Sequence, residues 1–234
     1  IFLDPNPNPE RSFAERQRLF NLPRSSWDDY DKSLISEGGG VWSRGVKSIP
    51  LSPQIRARLG VEAEQMTPNE LMNAILKAPV DLLYNGGIGT YVKASSQSHQ
   101  DANDRTNDAI RIDATEIRAK VVGEGGNLGF TQKARIEYAM NGGLNYTDAI
   151  DNSAGVGTSD HEVNIKILTS SLLQSGDMTI KQRDTLLASM TDDVGRRVLV
   201  DNYQQTQAVS LETTYGRDLL NAHGQLLRFL EAKG

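Results

Sequence analysis

The chain has 234 residues, 25 basic against 30 acidic, a formal net charge of −5 and no cysteine. That length suits one large domain or two small ones. The acid excess argues against a nucleic-acid partner, since phosphates must be neutralised by clustered Lys and Arg. No apolar run reaches the roughly 18 to 20 residues that span a bilayer, which predicts a soluble protein with no membrane partner. The absence of cysteine removes disulfides, thiolate metal sites and cysteine nucleophiles, and fits a reducing, cytoplasmic setting.

Ile1-Phe2-Leu3-Asp4-Pro5-Asn6-Pro7 reads as an apolar strand stopped by an acid and prolines. It has no initiator methionine, and we expect it to begin inside a longer polypeptide. Ser52-Pro53 predicts a helix start, in which a side-chain oxygen accepts an orphan first-turn N–H and proline fills the first helical position, with Gly60 as the stop. Thr67-Pro68-Asn69-Glu70 is a capping box, followed by Leu71, Ile75 and Leu76 at helical spacing. Val80 to Tyr84 then reads as a buried strand leaving through the turn Asn85 to Gly89. Residues 93 to 109 are polar and read as an exposed connection.

The unit repeats. Ala114 to Arg118 predicts a short helix, Ala119 to Val122 a strand, Gly123 to Asn127 its exit turn, and Thr131 to Met140 a helix closed by Asn141-Gly142-Gly143. Thr147 to Asp151 leads into a small-residue turn, Asn152 to Val156. Strand, glycine-rich turn and helix in alternation predict an α/β fold: an incomplete Rossmann-like, mostly parallel sheet with flanking helices over residues 1–158, ligands lying beyond the carboxyl ends of its strands. From Ser159 the signals are helical only. Ser159-Asp160-His161-Glu162 reads as a capping box, Thr179 starts another helix, and apolar residues recur at helical intervals from Val194 to Leu230. Residues 159–234 are expected to form an α-helical segment.

Asp4 stands where an acid at a strand end can accept hydrogen bonds from adenosine ribose hydroxyls and repel a 2′-phosphate; an acid before a proline also serves as a plain turn residue. The turns 85–90 and 124–129 let a ligand approach the backbone closely, yet neither fits the dinucleotide fingerprint, because Leu128 and Val92 occupy the third glycine positions. The pyrophosphate turn is expected upstream of Ile1. No metal site is expected: His161 has no second histidine at ligand spacing, and His99 and His223 are isolated. Trp27 and Trp42 read as packing anchors, and Asp28, Asp29 and Asp31 as a solvated turn.

The segment Val121 to Asn127, with Asp151-Asn152-Ser153-Ala154-Gly155-Val156 and Ser159 roughly 25 residues on, is similar to the paired motifs of glutamate dehydrogenases. Within that family it resembles the large bacterial NAD-specific members through Phe2 to Pro7, Leu22 to Trp27, Asn85 to Tyr91 and Ser159 to Asn164. The likeness covers roughly the first 175 residues and fades beyond.

The resemblance implies oxidative deamination of L-glutamate to 2-oxoglutarate and ammonium, with NAD as coenzyme and a homo-oligomeric intact enzyme. It matches Asp4 to the acid on the adenosine ribose, Asn85, Gly86 and Gly126 to the turns near the coenzyme, and Asn127 to the asparagine facing the nicotinamide half. Asn152 matches the asparagine that bonds the carboxamide, and Val156 and Ser159 the wall and hydroxyl that meet the substrate's side-chain carboxylate. Ser153-Ala154 departs from the Ala-Gly of smaller members. The family's catalytic lysine and aspartate precede this region, and no segment here matches that motif, so the isolated chain is expected to be inactive. Two alternatives stay open: a dehydrogenase of another amino acid, and a noncatalytic assembly or regulatory module.

Overall fold

The computed structural model describes residues 1–234. Capped positions start short helices between short strands: β1 (Phe2–Leu3), α1 (Pro9–Phe20), β2 (Gly40–Val41), β3 (Ile49–Pro50), α2 (Pro53–Leu59), β4 (Gln65–Met66) and α3 (Pro68–Leu76). Then follow β5 (Leu82–Asn85), β6 (Val92–Lys93), β7 (Ile112–Asp113), β8 (Val121–Glu124), α4 (Gln132–Met140), β9 (Leu144–Asn145) and α5 (Asp148–Asp151). A π-helical turn, Ser153–Gly157, runs into α6 (Thr158–Ser175), and α7 (Ile180–Ser189) and α8 (Thr191–Lys233) complete the chain.

At α2 and α3 the capping chemistry acts as the sequence predicts. Ser52 accepts from Ile55 N at 3.1 Å, and Thr67 and Glu70 satisfy each other's backbone in a reciprocal box. The strands pair less simply than one parallel sheet. β5, β8 and β9 form a three-stranded sheet in which β8 and β9 run parallel, Val121 opposite Leu144, and β6 runs parallel to β7. β1–β2 and β3–β4 are antiparallel ribbons of two residues per strand, too short to impose an alternating pattern on the sequence.

Two compact units result: residues 1–84, 88–122 and 128–145, and residues 85–87, 123–127 and 146–234. The first carries two apolar clusters. Ile49, Ile55 and Leu71 are fully buried in one, with Leu3 and Trp42 against it; Val92, Ile112, Phe130 and Ala134 fill the other. Trp27 anchors differently, stacking on Phe2 with centroids 4.8 Å apart. The expected exposed connection at 93–109 is corrected at its start: Lys93 is a strand residue, buried and ion-paired with Asp113. Two 3₁₀ turns follow, and the wholly buried Arg111 guanidinium holds them through Asp104 and Asp108.

The second unit is helical apart from its two turns. Residues 191–233 form one 43-residue helix, and no helix of the chain is long and apolar enough to cross a membrane.

Candidate functional site

The turns that leave β5 and β8 meet in the second unit. A Cβ added to Gly126 would collide with the Gly87 carbonyl oxygen, so glycine is the residue that lets these two backbones approach. Asn85 ends β5; its Oδ1 faces Gly87 N at 3.4 Å, while its Nδ2 is buried without a hydrogen-bond partner. Gly86 is exposed beside it.

Asn152 is buried and reached from a helix instead of a strand end. α5 closes on it, and it then caps the π-helical turn, its Oδ1 accepting from Gly155 N at 3.0 Å. Single π-helical turns recur at functional sites because they displace one residue from the regular helix surface. Asn152 Nδ2 donates to Asn127 Oδ1, so residues 25 apart in sequence form one amide pair, with Asn127 at the exposed side. A side-chain amide carries two donors and two lone pairs. The pair therefore retains bonding capacity for a third amide. Asp151, which precedes Asn152, ties the same region together: its Oδ2 accepts from Glu124 N at 3.0 Å.

Val156 is half-buried in the π-helical turn and Ser159 exposed on α6. The expected capping role of Ser159 is corrected. Gly157 already has helical dihedrals, φ −60° and ψ −44°, so α6 grows out of the preceding turn with no free N-terminus for Ser159 to cap, and Glu162 pairs with Lys166 instead. His161 Nε2 lies 2.7 Å from Asp201 Oδ2. Asp4, in the first unit, follows β1. Its Oδ1 accepts from Ser36 N at 3.1 Å and from the Ser36 hydroxyl, and its Oδ2 is buried with no partner.

The fold and these turns define an α/β protein with glycine-rich, asparagine-bearing turns at the carboxyl ends of sheet strands, where ligands bind in open α/β sheets. Residues 1–212 match the family model described as bacterial NAD-glutamate dehydrogenase, catalytic domain. The whole chain is 58% identical to an NAD-specific glutamate dehydrogenase of Pseudomonas aeruginosa, covering 14% of that protein. It is 54% identical to the enzyme so named from Mycobacterium tuberculosis, covering 15% of it, and 52% identical to that of Halomonas elongata, covering 14%. The chain thus spans about one seventh of the length of the curated relatives it matches. It belongs to the bacterial NAD-glutamate dehydrogenase family, within the catalytic domain.

Proposed function

We propose that this chain forms the nicotinamide side of the coenzyme site in an NAD-dependent glutamate dehydrogenase, which converts L-glutamate to 2-oxoglutarate and ammonium. Residues 1–158 are its Rossmann-like coenzyme-binding domain and 159–234 a helical segment. The Asn127–Asn152 amide pair carries the reading. It suits a carboxamide ligand, because amides pair donor to acceptor on both sides.

The residues fit the coenzyme on independent grounds. Asn85 Nδ2 and Asp4 Oδ2 are a buried donor and a buried acceptor without partners. Such groups each cost about 1–3 kcal/mol unless satisfied. Gly126 keeps the turn free of a side chain where two backbones converge. When bound, NAD supplies the hydride acceptor. What this chain supplies is position: Asp4 accepts from the ribose hydroxyls, Asn85, Gly86 and Gly126 shape the turns beside the coenzyme, and Asn127 and Asn152 fix the carboxamide and hence the ring face presented. Val156 excludes water beside the substrate, and the Ser159 hydroxyl donates to the substrate's distal carboxylate. No lysine lies in residues 85–87, 123–127 or 151–159, and we assign no general base among them.

The test uses the full-length enzyme. A hydroxyl donating to a carboxylate contributes about 1.5–3 kcal/mol, so Ser159→Ala should lower kcat/KM for glutamate by about 10- to 150-fold. Norvaline, which lacks the distal carboxylate, should be oxidised no worse by the variant than by the parent. Since Ser159 caps no helix, the melting temperature should hold. Equal losses for glutamate and norvaline would overturn the substrate contact.

A further inference from the structure

The residue on which the proposed coenzyme contact depends is itself held from 50 residues away. α8 meets the segment 150–161 through one helical face. Val198 is the one buried residue of this 43-residue helix. A Cβ on Gly157 would stand 3.2 Å from Val198 Cγ1, so helix and π-helical turn pack closely there. One turn on, Asp201 pairs with His161, and the next residue, Asn202, uses both ends of its amide. Its Nδ2 donates to Ile150 O, and its Oδ1 accepts from Ser153 Oγ at 2.7 Å. Ile150 and Ser153 flank Asn152, one on each side.

A side-chain amide that donates to the backbone on one side of a residue and accepts from the side chain on the other restrains that residue's own backbone, and through it the direction of its side chain. Asn152 leaves little slack of its own, since it is buried and its Oδ1 and Nδ2 are already engaged by Gly155 and Asn127. We infer that Asn202 is a positioning residue of the coenzyme site: it acts through Asn152 by clamping the turn that presents it. This rests on the proposal that Asn152 binds the carboxamide, and it gives the long C-terminal helix a part in coenzyme binding.

The experiment measures the NAD dissociation constant by calorimetry, kcat/KM for NAD and the melting temperature. It uses the full-length enzyme and its Asn202→Ala, Asn152→Ala and doubly substituted variants. Loss of two side-chain hydrogen bonds should weaken NAD binding by about tenfold in Asn202→Ala. In the Asn152→Ala background the same change should add little, because the clamp then has nothing to position. Asn202→Asp, which keeps size but places an acceptor opposite the Ile150 carbonyl, should behave like alanine. If Asn202→Ala does not fold, Ser153→Ala removes one of the two bonds alone and decides the matter through a loss of about threefold with the same non-additivity. An undiminished affinity in Asn152→Ala overturns the underlying reading of Asn152. Loss in Asn152→Ala with none in Asn202→Ala, or losses that simply multiply, overturns the role of Asn202.

Discussion

Asp4 commits one carboxylate oxygen to Ser36 and leaves the other buried and unpartnered. A turn residue has no need of that second oxygen, whereas a ribose hydroxyl would satisfy it. A carboxylate there also sets two anions together when the ribose bears a 2′-phosphate, at a cost of several kcal/mol when close. In the full-length enzyme, Asp4→Ser should therefore reduce the NAD over NADP preference, measured as the ratio of kcat/KM values, by about tenfold or more; an unchanged ratio would leave Asp4 as the anchor of Ser36. Asp4, Asn127 and Asn152 could be singled out locally as candidates, because each sits in a short motif. Their partners could not be read. Ser36 lies 32 residues from Asp4 and Asn202 lies 49 from Ser153, and no periodicity signals such pairs. Ser159 shows the converse error. Its capping-box spelling is genuine, but a cap needs unsatisfied N–H groups, and the π-helical turn delivers the chain already helical.

Among elements, α1 is fastened to the two 3₁₀ turns that follow it, Trp27–Asp29 and Lys32–Leu34, by one carboxylate. Glu15 takes Arg18 Nε at 2.8 Å and Nη2 at 2.6 Å, and Asp31 N at 2.7 Å. The Arg18 hydrogen bonds and the Asp31 backbone N–H hold its carboxyl down at about 2, from an ordinary 4.5. A folded-state value below the unfolded one gives stability that is fully present above pH 4.5 and is lost as pH falls toward about 2. Glu15→Gln should thus melt lower than the parent at neutral pH, and the gap should narrow on acidification through that window; a gap that stays constant with pH would mean that the amide serves as well as the carboxylate. Helices were the legible elements because caps are local: Ser52, Thr67 and Thr179 all start helices in the structure. Strands were not. β6, β7 and β9 have two residues each, so alternation has no room to appear, and their parallel pairing is set by distant partners such as Ile112 opposite Val92. The continuity of α8 was hidden as well. Gly195, Gly216 and Gly224 fall inside it, where glycine ordinarily costs about 1 kcal/mol relative to alanine.

For the whole molecule, the sequence foretold an α/β region followed by helices, and the structure has a parallel-strand sheet with flanking helices and a helical C-terminal segment. The division into units follows contacts instead of chain order. The turns 85–87 and 123–127 group with residues 146–234, so the asparagines expected to share a ligand fall in one unit although nearly 70 residues separate the first from the last. A linear reading places a boundary at a change of character, here near Ser159, and cannot see that two short turns belong with the segment beyond it. Because the chain spans about one seventh of its relatives, the coenzyme question is decided on the full-length enzyme. The most direct measurement is a structure of that enzyme with NAD bound. The nicotinamide carboxamide should lie within about 3.2 Å of the Asn152 or Asn127 side-chain amide; a carboxamide held by other residues, with Asn127 and Asn152 bonded only to each other and to Gly155, would show that this amide pair does not bind it.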